Sequence, residues 1–190
     1  MEIMIRYTVK NSKSNLKGVF ALQKANLKKN LSQEEIERDG FVTVDHEWET
    51  LEKFSNIEPH IIALNKEKVV GYVLAMTKVS RFDLPIIFPM FDEFEKISYK
   101  GKTVAEYNYM VVGQACIHKD YRGQGIIENC FQLYKETFAD RYEFSITEIA
   151  ASNQRSLKAH KKVGYEEIHT YTDANATEWI VVVWNWNKLS

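Results

Sequence analysis

The 190-residue chain reads as a single α/β domain spanning 1–190, a mixed sheet with helices on both faces. Three observations predict this. β-rich segments alternate with helical periodicities along the whole length. Only eight glycines and three prolines occur, and no stretch reads as a linker or a repeat. Apolar residues make up 45% against 27% charged, which supports a substantial core and argues against a disordered chain.

The elements follow in order. Met4 to Val9 reads as a short strand. Leu16 to Asn26 reads as a helix, because Leu16, Val19, Phe20 and Leu22 fall mostly on one face. Ser32-Gln33-Glu34-Glu35 fits a capping box, the Ser hydroxyl taking an unpaired N–H while Glu35 reaches back. Asp45 is placed to cap a further short helix through Leu51 and Phe54. His60 to Leu64 and Val69 to Val79 are β-rich around a polar turn, so a hairpin is expected. Ser80 to Glu106 is a long aromatic connection, a length typical of lids and binding loops, with room for a short helix near Asp92 to Ile97. Tyr109 to Ile117 is the next strand, Gly125 to Phe138 a helix, and Phe144 to Ala150 a strand. A last helix runs from Asn153 to Lys162 and stops at Gly164. Tyr165 to Thr170 and Glu178 to Asn185 then form a closing hairpin.

Charge and cysteine content exclude several classes. The net charge is −1, so a bulk electrostatic grip on nucleic acid is not expected. That sum hides opposites: residues 1–30 carry seven bases and one acid, residues 31–58 two bases and nine acids, and 59–190 sixteen of each. Cys116 and Cys130 are too few for a disulfide framework and lack zinc spacing, so both are expected as free thiols. The histidines His46, His60, His118 and His169 show no metal-ligand spacing either, and no metal is expected. Apolar runs are too short to cross a bilayer, and Met1 to Arg6 does not read as a secretory leader. A soluble cytoplasmic protein without a membrane partner is the expectation.

The sharpest chemical feature is Ile117-His118-Lys119-Asp120-Tyr121-Arg122-Gly123-Gln124-Gly125-Ile126, a strand running through a glycine-rich turn into a helix. Glycines allow close approach of backbone to ligand, and a helix start offers free N–H groups to phosphate oxygens. No Lys-Ser/Thr follows, so this is not a P-loop. The third glycine of a dinucleotide fingerprint would fall on Glu128, so that reading fails too. A tight turn without any ligand stays open on this segment alone.

A second segment, Thr147 to Asn153 leading into Ser156, His160, Gly164 and Tyr165, narrows the choice. Together the two resemble the GNAT superfamily of acyl-CoA-dependent N-acyltransferases over roughly residues 107–170. Arg122-Gly-Gln-Gly125 looks like its Arg/Gln-x-x-Gly-x-Gly/Ala pyrophosphate loop. Asn153, Ser156, Gly164 and Tyr165 look like its Asn-x-x-Ala/Ser…Gly-Phe pattern. The resemblance implies a mostly antiparallel central sheet of about six to seven strands. It also implies acetyl transfer from acetyl-CoA, as co-substrate, to a small-molecule or peptide amine. A homodimer is a separate expectation, which none of these residues carries.

The resemblance places roles on residues. The strand ending at Ile117 would splay from its neighbour, so that backbone groups of Cys116, Ile117 and His118 hold the pantetheine arm and polarise the thioester carbonyl. Main-chain amides of Arg122, Gly123, Gln124, Gly125, Ile126 and Ile127 would hold the pyrophosphate, although Ile127 stands where the family carries Gly or Ala. The chain would thus grip its polyanion through amides rather than bulk charge. Asn153 and Ser156 would lie beside the CoA arm. Glu148 matches a carboxylate that acts as base in part of the family; a structural strand-end carboxylate is the other reading. His160 stands where many members carry a tyrosine that protonates the departing thiolate, so it is either an acid or a packing contact to sulfur. Cys116 reads as a core residue rather than a nucleophile.

Two further expectations concern the acceptor. The acidic stretch Glu34 to Glu58 could steer a cationic amine or simply be solvated helix face. The aromatic connection from Phe82 to Tyr99 could shape the acceptor site or form a satellite hydrophobic cluster. Trp179, Trp184 and Trp186 are expected to pack on the last strand. A CoA-binding or interaction module without turnover, and a phosphate-binding α/β domain of other function, are the competing classes.

Overall fold

Seven strands form one sheet: β1 (Ile5–Thr8), β2 (Ile61–Asn65), β3 (Lys68–Met76), β6 (Tyr109–Ile117), β7 (Phe144–Ala150), β9 (Glu178–Asn185) and β8 (Glu166–Thr172), in that spatial order. A two-stranded ribbon, β4 (Ser98–Tyr99) with β5 (Lys102–Thr103), stands apart. Every neighbouring pair in the main sheet is antiparallel except β6 with β7. This is a computed structural model describing residues 4–83 and 85–187, so Met1, Glu2 and Ile3 of the leader reading and Leu84 of the long connection lie outside it.

Helices cover both faces, as the alternation of elements predicts. On one face lie α1 (Lys13–Asn26) and α3 (Trp48–Ile57). There Val19, Leu22 and Leu51 meet Ile62, Leu64, Tyr72 and Leu74 of β2 and β3. On the other face lie α5 (Ile126–Phe138) and α6 (Gln154–Val163). Phe131, Tyr134 and Phe138 of α5 pack there with Ile61, Ala63 and Val73. The strands' two-residue period separates these sets, because successive side chains leave opposite faces.

Local chemistry fixes most element ends. Ser12 caps α1, its Oγ accepting from the Asn15 amide at 3.2 Å. The capping box opens α2 (Gln33–Asp39): Glu35 N–H donates to Ser32 Oγ, and Ser32 N–H donates to Glu35 Oε2 at 2.9 Å. Asp45 does not cap α3; Glu47 holds that position without a side-chain bond, and Asp45 is instead bound by Lys24 and Lys29. Two cations near the end of α1 compete better for the carboxylate than a helix start would.

The long connection departs most from expectation. β3 ends at Met76, and the chain turns through a 3₁₀ segment (Lys78–Asp83) into α4 (Phe88–Phe94), which begins earlier than the expected Asp92. Phe91, Phe94 and Ile97 bury themselves against Tyr109, Val111, Phe144 and Ile146, so this segment is core in its own right. Cys116 and Cys130 are free thiols on separate elements, and burial pushes each up to about 12. Among the described residues no helix is long and apolar enough to cross a membrane. No three His, Cys, Asp or Glu side chains there gather as a metal site.

Candidate active site

The site arises where the one parallel pair gives out. β6 and β7 are in register only over Tyr109–Val111 with Phe144–Ile146. Beyond that, β6 stays with β3 and β7 stays with β9, so the two strands part. At the vertex the Thr147 hydroxyl donates to the Val112 carbonyl at 2.8 Å. Two spaces open from the split, a cleft of about 330 Å³ toward the glycine-rich turn and a cavity of about 630 Å³ beneath α4. Phe41, Val42, Ala115, Asn153, Ser156 and His160 line both, so the two spaces share a wall.

The turn is built to present amides. His118 N–H donates to the Val70 carbonyl at 2.8 Å, holding the end of β6 before a one-turn 3₁₀ segment at Lys119–Tyr121. Gly123 and Gly125 then take φ of +73° and +75°, left-handed values that cost a side-chain-bearing residue about 1–2 kcal/mol. Two such residues one apart point successive N–H groups to one side. Among the described residues the amides of Gly123, Gln124, Gly125, Ile126 and Ile127 meet no acceptor, and the last two also open the thirteen-residue α5. A helix start and a concave run of amides converge, the arrangement that suits a phosphate. Ile127 lines the cleft and packs on the α5-side core, with its amide left free.

Arg122 has a different task from the one its position suggests. Its Nε donates to Ile117 O at 3.1 Å, its Nη2 to Asn26 Oδ1 at 2.8 Å, and its Nη1 pairs with Asp39 at 3.1 Å. The guanidinium is a strut fastening the turn to the ends of α1 and α2. Side-chain cations come instead from α6, where Arg155, Lys158 and Lys162 line the cleft. The signal was legible, since spacings of three and four put these residues on one helix face.

Of the three expected backbone groups, His118 is not available, because its N–H is spent on Val70. Antiparallel alternation turns Cys116, opposite Tyr72, toward β3 as well. The peptides of Ala115 and Ile117 face the split, and the Ile117 carbonyl is already taken by Arg122. Ala115 is the residue that sequence reasoning missed; strand parity finds it only once the register is known. The Cys116 thiol is buried and its pKa raised, as befits a core residue.

Asn153 and Ser156 both line the cleft and the cavity. Asn153 caps α6, accepting from Ser156 N–H at 3.3 Å, and donates from Nδ2 to Phe41 O at 2.9 Å. Gln114 fastens the same wall, donating to Val44 O at 2.8 Å. His160 is buried, edge-on to Phe131 and Tyr165. Its Nδ1 lies 2.9 Å from the Ser156 carbonyl; a carbonyl only accepts, so Nδ1 carries the proton. Burial holds the imidazole pKa down to about 4, leaving Nε2 as an unpartnered lone pair.

Glu148 lies in the larger cavity, half-buried on β7. Burial pushes its carboxyl up to about 7 despite a hydrogen bond from the Tyr171 hydroxyl, and the nearby charges of Asp173 and Glu93 add to the rise. Glu93 on α4 is held by His169 Nε2 at 3.0 Å and Lys96 Nζ at 2.8 Å. The cavity's carboxylates are therefore Asp92, Glu93, Glu148 and Asp173, and none comes from the Glu34 to Glu58 stretch. That acidic block is α2, α3 and linker surface, apart from Asp39, which meets Arg122 at the cleft, and Glu58, drawn into a pair with Arg141. The aromatic connection divides: Phe91 and Phe94 are core, while Ile86, Pro89 and Met90 line the cavity. Trp179 joins them there, its Nε1 donating to Asp173 at 2.9 Å.

Comparison with known proteins fits this geometry. The sequence profile of the Acetyltransferase (GNAT) family matches residues 28–165. No curated protein matches the chain. Among solved structures, a GNAT family acetyltransferase from Streptococcus agalactiae superposes with a TM-score of 0.67 at 10% identity, over 97% of this chain and 96% of that one. NAA60 from Arabidopsis thaliana in complex with acetyl-CoA gives 0.65 at 12% identity, over 96% and 99%. An N-acetyltransferase from Staphylococcus aureus gives 0.61 at 18% identity, over 97% and 98%. At such identities the likeness is one of fold, and the profile carries the assignment: the chain belongs to the GNAT acetyltransferase family.

Proposed function

We propose that the chain transfers an acetyl group from acetyl-CoA to a primary amine by direct attack of the amine on the thioester. The observation that carries this reading is the wall of Ala115, Asn153, Ser156 and His160 shared by a cleft faced by free amides at Gly123–Ile127 and a cavity that holds Glu148, a carboxylate poised near neutrality. Acetyl-CoA bound in the Arabidopsis neighbour supports the choice of donor.

The residues divide the work. Amides of the turn, with Lys158 and Lys162 across the cleft, receive the pyrophosphate. Peptides of Ala115 and Ile117 hold the pantetheine arm, and an N–H on that edge polarises the thioester carbonyl. The thioester supplies the activated acyl group. An amine of pKa about 10 arrives protonated, and Glu148, midway through its own titration near pH 7, takes that proton. His160 has no proton to give from Nε2, and a thiol of pKa about 8.5 departs well as thiolate, so His160 serves as a contact on the sulfur side rather than an acid.

Two measurements test the reading. Acetyl-CoA at a hundred times its Kd stabilises the fold by about 2.7 kcal/mol, seen as a rise in Tm; no rise at millimolar acetyl-CoA rejects it. Thiol release with an amine panel then follows turnover, and Glu148→Gln lowers kcat/KM by about 10²–10⁴-fold. Full activity in that variant at every pH removes Glu148 from the role of base.

A further inference from the structure

The larger cavity is chemically lopsided. Met76, Ile86, Ile87, Met90 and Trp179 give it apolar walls, and Ile86 is left 67% exposed at its rim. Four carboxylates face the same space, against Lys96 as the single Lys or Arg lining it among the described residues. Lys96 is itself bound to Glu93. Asp173 is pinned by the Thr177 and Asn175 amides and Trp179 Nε1, and Glu93 by His169 and Lys96, so both stay ionised. His160 lines both the cleft and this cavity, and its buried Nε2 has no hydrogen-bond partner among the described residues.

We propose that this cavity takes a primary amine attached to an apolar group and bearing no carboxylate beside the amine, with Glu93 enforcing that exclusion. The proposal rests on the transferase reading above and names its acceptor class. An ammonium entering among these carboxylates is attracted, while a carboxylate carried alongside meets like charge on several sides; discrimination built from such repulsion is stronger than apolar contact alone supplies. A free α-amino acid brings both charges together and so cancels its own attraction. The amide of the same amino acid presents only the cation. Its apolar side chain covers Ile86, which otherwise faces water. A free amine and the apolar first residue of a polypeptide share this chemistry.

Calorimetric titration of the protein loaded with CoA, beside thiol release with acetyl-CoA, tests it with four probes: leucinamide, leucine, glycinamide and a C-terminally amidated heptapeptide beginning with Leu. Leucinamide is expected to bind at least about tenfold tighter than leucine and than glycinamide, a difference of about 1.4 kcal/mol. Glu93→Gln shrinks the leucinamide-to-leucine ratio at least threefold. Asp92→Asn, on an exposed side chain of the same helix, shrinks it in the same direction should Glu93→Gln lose its fold. A heptapeptide bound more than tenfold tighter than leucinamide supports the proposal with a polypeptide source, and equal binding supports it with a free amine. Leucine or glycinamide binding as well as leucinamide overturns it, as does a ratio untouched by both variants or no binding at millimolar concentration. Discrimination in binding without thiol release rejects the transferase reading and leaves this one standing; equal turnover of leucine and leucinamide does the reverse.

Discussion

The Tyr171 hydroxyl donates a hydrogen bond to the Glu148 carboxylate over the back of β9, the strand that separates them. Register pairs Glu148 with Val181 and Tyr171 with Trp179, so the bond runs diagonally across the intervening strand. Burial raises the carboxyl and the phenol lowers it, because a donated hydrogen bond favours the ionised form. The balance leaves Glu148 at about 7.

Tyr171→Phe removes the lowering influence and leaves the burial. With Glu148 proposed as the base, kcat/KM is expected to rise with pH through its titration, and the variant to move that limb upward by about one unit. The high-pH plateau stays within about threefold. A limb that keeps its place shows that the phenol does not tune the base.

Lys158 and Lys162 line the cleft that the free amides face, and Lys162 also neutralises Glu128 in the first turn of α5. Replacing both with alanine removes two cations and exposes a carboxylate near the anion site. Acetyl-CoA Kd is expected to rise several-fold at low salt and to converge on the wild-type value near 1 M, where screening acts within about 3 Å. Titrations at several salt concentrations check this, and an equal loss at every concentration points to altered packing instead.

Much of this architecture was legible beforehand. Periodicity placed β6, β7, α5 and α6 within a residue or two, because each buries a continuous apolar face whose period the fold must respect. The glycine turn was legible for the same local reason. Arg122 was not: its partners Asn26 and Asp39 are about a hundred residues away, and no local rule foretells which of a cation's possible acceptors the fold brings near. His118 and Ala115 were exchanged because strand parity depends on register, which pairing with β3 decides. The acidic cavity was hidden because its carboxylates come from α4, β7 and the β8–β9 turn, each unremarkable alone.

Gly125→Ala separates strain from binding. At φ +75° the new methyl costs about 1–2 kcal/mol, while its nearest neighbour would be Asn129 Nδ2 at 4.0 Å, so crowding within the protein adds nothing. Gly101→Ala is the matched control, with φ +86° and open space around it, and it lines neither the cleft nor the cavity. Both variants lose similar stability in urea. Only Gly125→Ala raises the acetyl-CoA Kd, by about tenfold or more, because there the backbone must approach a phosphate.

His160 links the site to stability. His46, His60 and His160 are all buried, and burial lowers each to about 4 against an ordinary 6.5. Between these values the unfolded chain binds more protons, so stability is full above pH 6.5 and is lost as pH falls toward 4, each group contributing at most about 1.4 kcal/mol per pH unit. His160→Phe removes one of the three and deletes an unpartnered buried nitrogen. Urea midpoints between pH 4 and 7 are expected to fall less steeply with falling pH in the variant. In turnover, a ring that is neutral throughout the working range has no alkaline titration to lose, so the alkaline limb of kcat/KM stays in place. A limb that disappears with the imidazole would instead make His160 the proton donor to the departing thiolate, and would require Nε2 to carry a proton that its bond to Ser156 places on Nδ1.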